Sequence, residues 1–597
     1  GVTLSANVVT PPAVGSLTFD SVTGAYEFTP PIDFTGLVSF TYRIYDGADE
    51  SADFLVQVNV IPAPPAPEPP PAGEVSILYN LSNVPLEQSA SVPANVLVLM
   101  DDSGSMDWNT IVSGDDENGG FVISNESRAK RGRYSTTYVY LYDLKTNAYP
   151  PSSTSGRLIP TEEALDLEPL TAGNEYGVWR ARSSLHNKLY YNPEIQYEPW
   201  IGLDVTNTDF ANADPTAVRL DPRSTANTIN LEGDVFSWDS TDVPQWDANG
   251  GRTKVDVDNV YIPYYYATTA SPPLAWDSPH TKIEIRPGSG PLLGGLFPGG
   301  SERGDCRVGD DNPFTCTYAQ EMQNFANWFQ YYRSREYVTK DSIGKVIAAV
   351  QDIRVGYETV NNTTSEPIRP MNDLYSEGNK RTLLDNAYDV DSYGGTPLRQ
   401  LLGRAGQTFG CQTGGDCPAL PPPDGMCQQN FALLFSDGYW NGGAGVPSNT
   451  DTDGDGPFDG GRYADRVNAT LADTAMYYYE NDLFDTVDDL VPVSARDKDG
   501  APADTFSAAN PTMHQHMKTY AIAFGVSGSI NPADVPTDLT TPFAWTNPTT
   551  APAHKIDDML HAAVNGRGSY LNASNPRELR SAFEQAFLEF TQASSST

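Results

Sequence analysis

The run Asn95-Val-Leu-Val-Leu-Met100 is apolar after its first residue and passes straight into Asp101-Asp102-Ser103-Gly104-Ser105. A strand with no polar alternation must be buried on both faces, as in a parallel sheet covered by helices. Downstream the chain alternates in kind. Apolar residues recur at helical spacing from near Tyr318 through Val350. Then follow a strand at Ile353–Tyr357, a helix at Leu398–Gln407, a strand at Phe431–Phe435 and a helix at Ala464–Tyr479. A strand at Thr519–Phe524, a helix at Ile556–Val564, a strand at Ser569–Leu571 and a helix at Pro576–Phe590 complete the pattern. This order predicts an α/β, doubly wound sheet. About 107–317 is too long for a connection and must carry its own β-rich structure.

In an open α/β sheet, ligands bind outside the carboxyl ends of the strands. Three loops at such ends carry hard oxygen donors: Asp101, Ser103 and Ser105; Gly394-Gly395-Thr396-Pro397; and Ser436-Asp437-Gly438. Together and in this order they resemble the metal-ion-dependent adhesion site (MIDAS) of von Willebrand factor A domains. The resemblance implies Mg²⁺, Mn²⁺ or Ca²⁺ held by the hydroxyls of Ser103, Ser105 and Thr396. Asp101 and Asp437 would act mostly through water, leaving a position open for a partner's carboxylate. The bland alternative is a tight turn, a helix cap and a strand-end turn without metal.

Longer strings resemble the PilY family of type IV pilus biogenesis factors and tip adhesins. They are Tyr190-Tyr191-Asn192-Pro193, Tyr197-Glu198-Pro199-Trp200, Asn324-Phe325-Ala326-Asn327-Trp328-Phe329 with Tyr331-Tyr332-Arg333, and Cys427-Gln428-Gln429-Asn430-Phe431. Leu471 through Tyr479 and His561 through Gly568 also match. That resemblance, over 75–592, implies a pilus-associated protein of the bacterial cell surface, with minor pilins or the pilus tip as partners. The family's usual C-terminal β-propeller is absent from this sequence, which removes the basis for assigning retraction control.

Residues 1–61 alternate polar and apolar through Tyr26/Phe28, Phe40/Tyr42/Ile44 and Phe54/Val56/Val58/Val60. Broken by Thr23-Gly24 and Asp46-Gly47, this reads as a small antiparallel sandwich. It resembles cadherin-like, Ig-type repeats of bacterial surface proteins, with five strands instead of about seven. An unpaired edge along Thr3–Val9 or Ala52–Val60 could accept a strand from another copy, giving self-association into a fibre. A proline-rich linker occupies 62–74 and a Ser-rich tail 593–597.

Lys plus Arg total 37 against 77 Asp plus Glu, a net charge of −40, which repels nucleic acid and anionic membranes. No apolar stretch of about 18 residues offers a membrane span. Five cysteines, all beyond residue 300, sit in Gly/Pro/Asp-rich segments and read as staples of a secreted chain. The expected pairs are Cys306–Cys316 and Cys411–Cys427, leaving Cys417 odd. Asp451, Asp453, Asp455, Pro457 and Asp459 follow the first three-quarters of an EF-hand-type calcium loop, with Asp465 replacing the missing acid. A solvated acidic loop is the alternative. Arg303-Gly304-Asp305 reads either as an adhesion tripeptide shown by a disulfide loop or as a chance occurrence. His514 and His516 read as surface residues.

Neither G-x-S-x-G nor H-E-x-x-H occurs, so no catalytic constellation is visible and a non-enzyme is expected. The leading expectation is an extracellular, metal-dependent adhesin; a structural subunit of an extracellular filament is the alternative.

Overall fold

A computed structural model describes five strands within 5–60, then 92–111, 182–233, short pieces through 268, 280–306, 314–361 and 365–594, with brief gaps at 415, 447, 455–458, 499–511 and 538–540. The chain divides into two units, Gly1–Val84 and Pro85–Thr597. The proline-rich linker and the boundary expected near 75 lie outside the described residues.

In the first unit, β1 (Ser5–Thr10), β4 (Gly36–Tyr45) and β5 (Phe54–Val60) form an antiparallel sheet with β4 central. β2 (Ser16–Phe19) and β3 (Tyr26–Thr29) form a hairpin. All five expected strands are present, and the edges named above, β1 and β5, are the two outer strands of the sheet.

The second unit is built on a six-stranded sheet. Its strands are β6 (Asn95–Met100), β9 (Arg354–Thr359), β10 (Ser365–Pro370), β11 (Asn430–Ser436), β12 (Met517–Phe524) and β13 (Arg567–Ala573). The order is β10-β9-β6-β11-β12-β13, all parallel except the antiparallel edge β10. This is the doubly wound order in which the chain reverses direction beside its first strand.

Alternate side chains explain the continuous apolar runs. Val96, Val98, Met100, Leu433 and Phe435 face one layer, with α1 (Tyr318–Tyr331), α2 (Arg335–Ala349), α3 (Gly378–Tyr388) and α7 (Pro576–Ser594). Leu97, Leu99, Ala432 and Leu434 face the other, with α4 (Leu398–Phe409), α5 (Leu471–Glu480) and α6 (Pro552–Asn565). Both faces are therefore buried.

Three elements depart from expectation. The apolar pattern from Tyr318 to Val350 is two helices, because Ser334 turns extended and caps α2 by accepting from Tyr337 N–H. The helix expected from Ala464 begins at Leu471, behind a capping box in which Thr470 and Asp473 satisfy each other's backbone. The tail beginning at residue 593 is still helical at Ser594. β10 and α3 had no expected counterpart.

Within the insertion, β7 (Tyr264–Thr268) pairs with β8 (His280–Glu284). The aromatic strings pack against α1. Trp328 Nε1 donates to Leu189 O at 2.9 Å, Trp200 Nε1 to Tyr331 O at 3.0 Å, and Asn327 Nδ2 to Tyr197 O at 2.8 Å. These recurring residues therefore fasten the insertion to the sheet domain. Among the described residues, no helix is long and apolar enough to cross a membrane.

Candidate metal centre

β6 lies between β9 and β11 with Met100 level with Thr359 and Phe435, so the loops after these strands leave from one edge. Asp101 N–H still donates to Phe435 O, and Val360 N–H to Met100 O. A 3-10 turn at Gly104–Asp107 then swings the first loop over that edge.

There the expected donors meet. Ser103 Oγ and Ser105 Oγ lie 3.1 Å apart, and Ser105 Oγ donates to Asp437 Oδ1 at 2.8 Å. Asp101 is turned back: Oδ1 accepts from Ser103 N–H at 2.8 Å and Oδ2 from Ser436 Oγ at 2.5 Å. Thr396 is buried and its backbone is clamped by Asn441, whose Oδ1 accepts from Thr396 N–H while its own N–H donates to Thr396 O. Gly104 N–H reaches Gly394 O at 3.3 Å, joining the first and second loops. Gly394 has φ +78°, and a Cβ there would stand 2.7 Å from Asn361 Oδ1, so both conformation and space require glycine. Asn361 ties the loop further, donating through Nδ2 to Tyr393 O and Gly395 O at 2.7 Å each.

Two carboxylates and two hydroxyls converge, with Asp101 and Asp437 nearly buried. Burial first, and the nearby Asp437 second, push the Asp101 carboxyl up to about 7. The compensating cation is Arg335, which sequence reasoning missed. Its Nη1 lies 2.7 Å from Asp437 Oδ2, with both side chains 2% exposed or less. Its Nε donates to Thr110 O, and its guanidinium lies over Trp108. One signal was available: arginine in the first turn of α2 opposes the helix dipole and so needs an anion elsewhere. This compact set of oxygens, backed by one guanidinium, suits a hard divalent cation. Ser103, Ser105, Asp437 and Thr396 are the residues that would hold it.

The other expected sites fare differently. Asp451 is fully buried and turned towards Asp465 and His561, whereas Asp453 is exposed. Asp459 Oδ2 accepts from Gly454 N–H at 2.8 Å; Asp455 and Pro457 lie outside the described residues. The linear loop reading thus loses Asp451 to the interior. Arg303 of the Arg-Gly-Asp tripeptide is buried, pairing with Asp305 at 2.9 Å and with fully buried Glu321 at 2.9 Å. A guanidinium spent on its own fold cannot be presented to a receptor, so the adhesion reading of Arg303, Gly304 and Asp305 is corrected. His516 is buried, not on the surface.

Cys306–Cys316 is formed as expected. The second bridge is Cys411–Cys417, not Cys411–Cys427, and Cys427 is free. Positive φ at Cys411 and Gly414 folds the short loop back and brings the two Cα atoms to 4.7 Å.

No family model matches the chain. It is 25% identical over 451 residues to the type IV pilus biogenesis factor PilY1 of Pseudomonas aeruginosa strain PAK, covering 67% of this chain and 35% of that protein. Against PilY1 of strain UCBPP-PA14 it is 24% identical over 553 residues, 87% of this chain and 40% of that protein. The chain thus spans two fifths or less of the length of these curated relatives. Among solved structures, the pilus adhesin SpaC of Lactobacillus rhamnosus GG aligns at TM-score 0.21 and 9% identity, over 43% of this chain and 27% of that one. The vWF domain of the type V pili tip protein Mfa5 of Porphyromonas gingivalis aligns at TM-score 0.20 and 11% identity, over 43% and 87%. Scores this low carry no argument. The sequence matches to PilY1 support kinship with the PilY family.

Proposed function

We propose that this chain is an extracellular, pilus-associated adhesive module of von Willebrand factor A type, and not an enzyme. Its Ser103 site binds a carboxylate-bearing ligand through a divalent cation. The observation that carries this reading is the convergence of Ser103 Oγ, Ser105 Oγ and Asp437 Oδ1, at 3.1 and 2.8 Å, on the carboxyl edge of the sheet. Similarity to PilY1 supports the pilus association. A bound Mg²⁺ or Mn²⁺ supplies a Lewis-acidic position that attracts a carboxylate oxygen. Arg335 holds Asp437 from behind, so Oδ1 faces the hydroxyls. Ser436 and the Ser103 N–H hold Asp101 in place, and Asn441 and Asn361 fix the loop that carries Thr396.

The test uses acetate as the simplest carboxylate. Mn²⁺ bound to the full chain should broaden the acetate methyl resonance beyond the effect of free Mn²⁺. Asp101→Ala or excess chelator should abolish the broadening while the melting transition persists. Equal broadening by wild type and Asp101→Ala would sink the proposal.

A further inference from the structure

The loop between β11 and α5, which opens with Asp437 of the Ser103 centre, further along brings two carboxylates to a histidine on α6. His561 Nε2 lies 3.7 Å from Asp451 Oδ2, and His561 Nδ1 lies 3.6 Å from Asp465 Oδ2. One ligand atom from each of the three residues falls within 4.8 Å of the others. The remaining carboxylate oxygens are occupied by backbone: Asp451 Oδ1 accepts from Asp465 N–H and Asp465 Oδ1 from Val467 N–H. Each acid therefore turns one oxygen to the imidazole.

Two further observations point to a ligand. Asn565 stands four residues after His561, hence on the same face of α6. It is fully buried, its amide lies 3.3 Å from Asp451 Oδ2 through Nδ2, and its Oδ1 has no hydrogen-bond partner. Nδ2 also donates to Ala472 O at 3.3 Å, which fixes the amide's orientation and leaves Oδ1 as the unused acceptor. Second, His561 Nε2 is 2.5 Å from Tyr463 O. A ring N–H given to a backbone carbonyl fixes the tautomer and leaves Nδ1 as a lone pair, the arrangement usual for metal-bound histidine. Trp545 stacks on the ring at 3.9 Å with 12° between planes, and its Nε1 donates to Arg462 O.

We propose that Asp451, Asp465, His561 and Asn565 form a structural site for a divalent first-row transition-metal ion, with Zn²⁺ as the natural occupant, and not a calcium loop. Imidazole with carboxylates suits such ions, while calcium takes oxygen alone. Tetrahedral Zn²⁺ with ligands about 2.0–2.2 Å away separates them by about 3.4 Å, close to the 3.6 Å between Asp465 Oδ2 and His561 Nδ1; Asp451 Oδ2, 3.7 Å from the other ring nitrogen, completes a set whose ligand atoms lie within 4.8 Å of one another. Among the described residues, no lysine or arginine pairs with Asp451 or Asp465, so the cation would supply the missing counter-charge. The ion would clip the loop from 451 to 465 onto α6. This site is independent of the Ser103 reading.

The experiment strips the full chain with chelator, then titrates it with Zn²⁺ or, as a spectroscopic probe, Co²⁺ alone. Wild type should bind one more equivalent of Zn²⁺ than His561→Gln. That variant's affinity at the site should fall by more than the roughly 10–100-fold that outer-shell changes cost. Co²⁺ should give visible d–d absorption and quench Trp545 emission, both resisting a large excess of Ca²⁺. Equal Zn²⁺ content in wild type and His561→Gln overturns the proposal, as does displacement of Co²⁺ by Ca²⁺. Should His561→Gln fail to fold, Asp465→Asn gives the same comparison. Absence of a Co²⁺ band in wild type overturns the proposal without any variant.

Discussion

Arg335 offers the sharpest test of how the Ser103 centre is held together. The Arg335–Asp437 pair is 2.7 Å long and almost completely buried. Removing one member of such a pair leaves an uncompensated charge and costs about 3–5 kcal/mol. Here the charge left behind would be Asp437, in a pocket already shared with Asp101. In chelator, Arg335→Met should therefore destabilise the chain by about 3–5 kcal/mol. Asp437→Asn should also cost stability, because it strands the guanidinium. The double variant buries neither charge and should lose much less than the two singles together, giving a coupling of about 2–3 kcal/mol. Saturating Mg²⁺, at about 100 times its Kd, should return up to about 2.7 kcal/mol to Arg335→Met and nothing to variants lacking Asp437. Urea midpoints followed by tryptophan emission, with and without Mg²⁺, measure every corner of this cycle. A loss below about 1 kcal/mol for Arg335→Met, or single effects that add to the double within about 0.5 kcal/mol, would refute the reasoning.

Other predictions rest on separate parts of the molecule. Burial holds His516 down to about 3, so between about pH 6.5 and 3 the unfolded chain takes up a proton that the native chain refuses, and stability falls with pH. The stability gap between wild type and His516→Gln should narrow from pH 7 to pH 4.5; a constant gap in denaturation midpoints contradicts this. A Cβ on Gly344 would stand 2.0 Å from Tyr388 Oη, so Gly344→Ala should cost about 1–3 kcal/mol and Tyr388→Phe should recover part of it. Thermal melts of the two variants and their combination check this. Non-reducing peptide mapping should find Cys411 joined to Cys417 and alkylation at Cys427 alone; a Cys427 crosslink contradicts the pairing.

What was legible in the sequence follows from how local each constraint is. Strand runs such as 95–100 and 430–436 are readable because burial on both faces strips them of alternation. The register that levels Met100 with Phe435 then carries Ser103, Ser105 and Asp437 together automatically. Donors that stand within a few residues of a strand end are thus placed by the sheet. Partners on other elements have no such guide. Arg335 reaches Asp437 from a helix more than a hundred positions earlier in the chain, whereas Asn361 and Asn441, which clamp the Thr396 loop, stand just past the ends of β9 and β11 and are placed by the sheet as the donors are. Only the unfavourable place of an arginine in a first helical turn hinted at the Arg335 contact.

The fold acts on two of the linear motifs through one physical cause. A linear motif specifies residue types, while its chemistry depends on which way the side chains face. Asp451 begins a calcium-like spacing, but its carboxylate is claimed by the interior, where His561 and Asp465 lie. Arg303 begins an adhesion tripeptide, but a buried glutamate captures it. In both cases the deciding residue, His561 or Glu321, sits on a helix that the motif does not include. A buried charge is costly unless paired, so the fold acts on such side chains before any external ligand does. That ordering favours reading Asp451, Asp465 and His561 as one interior centre over a loop that binds calcium at the surface. It also bears on the partner-facing role proposed for the Ser103 centre. There the carboxylates are held from behind, by Arg335 and Ser436, and the hydroxyls of Ser103 and Ser105 are left at the sheet edge.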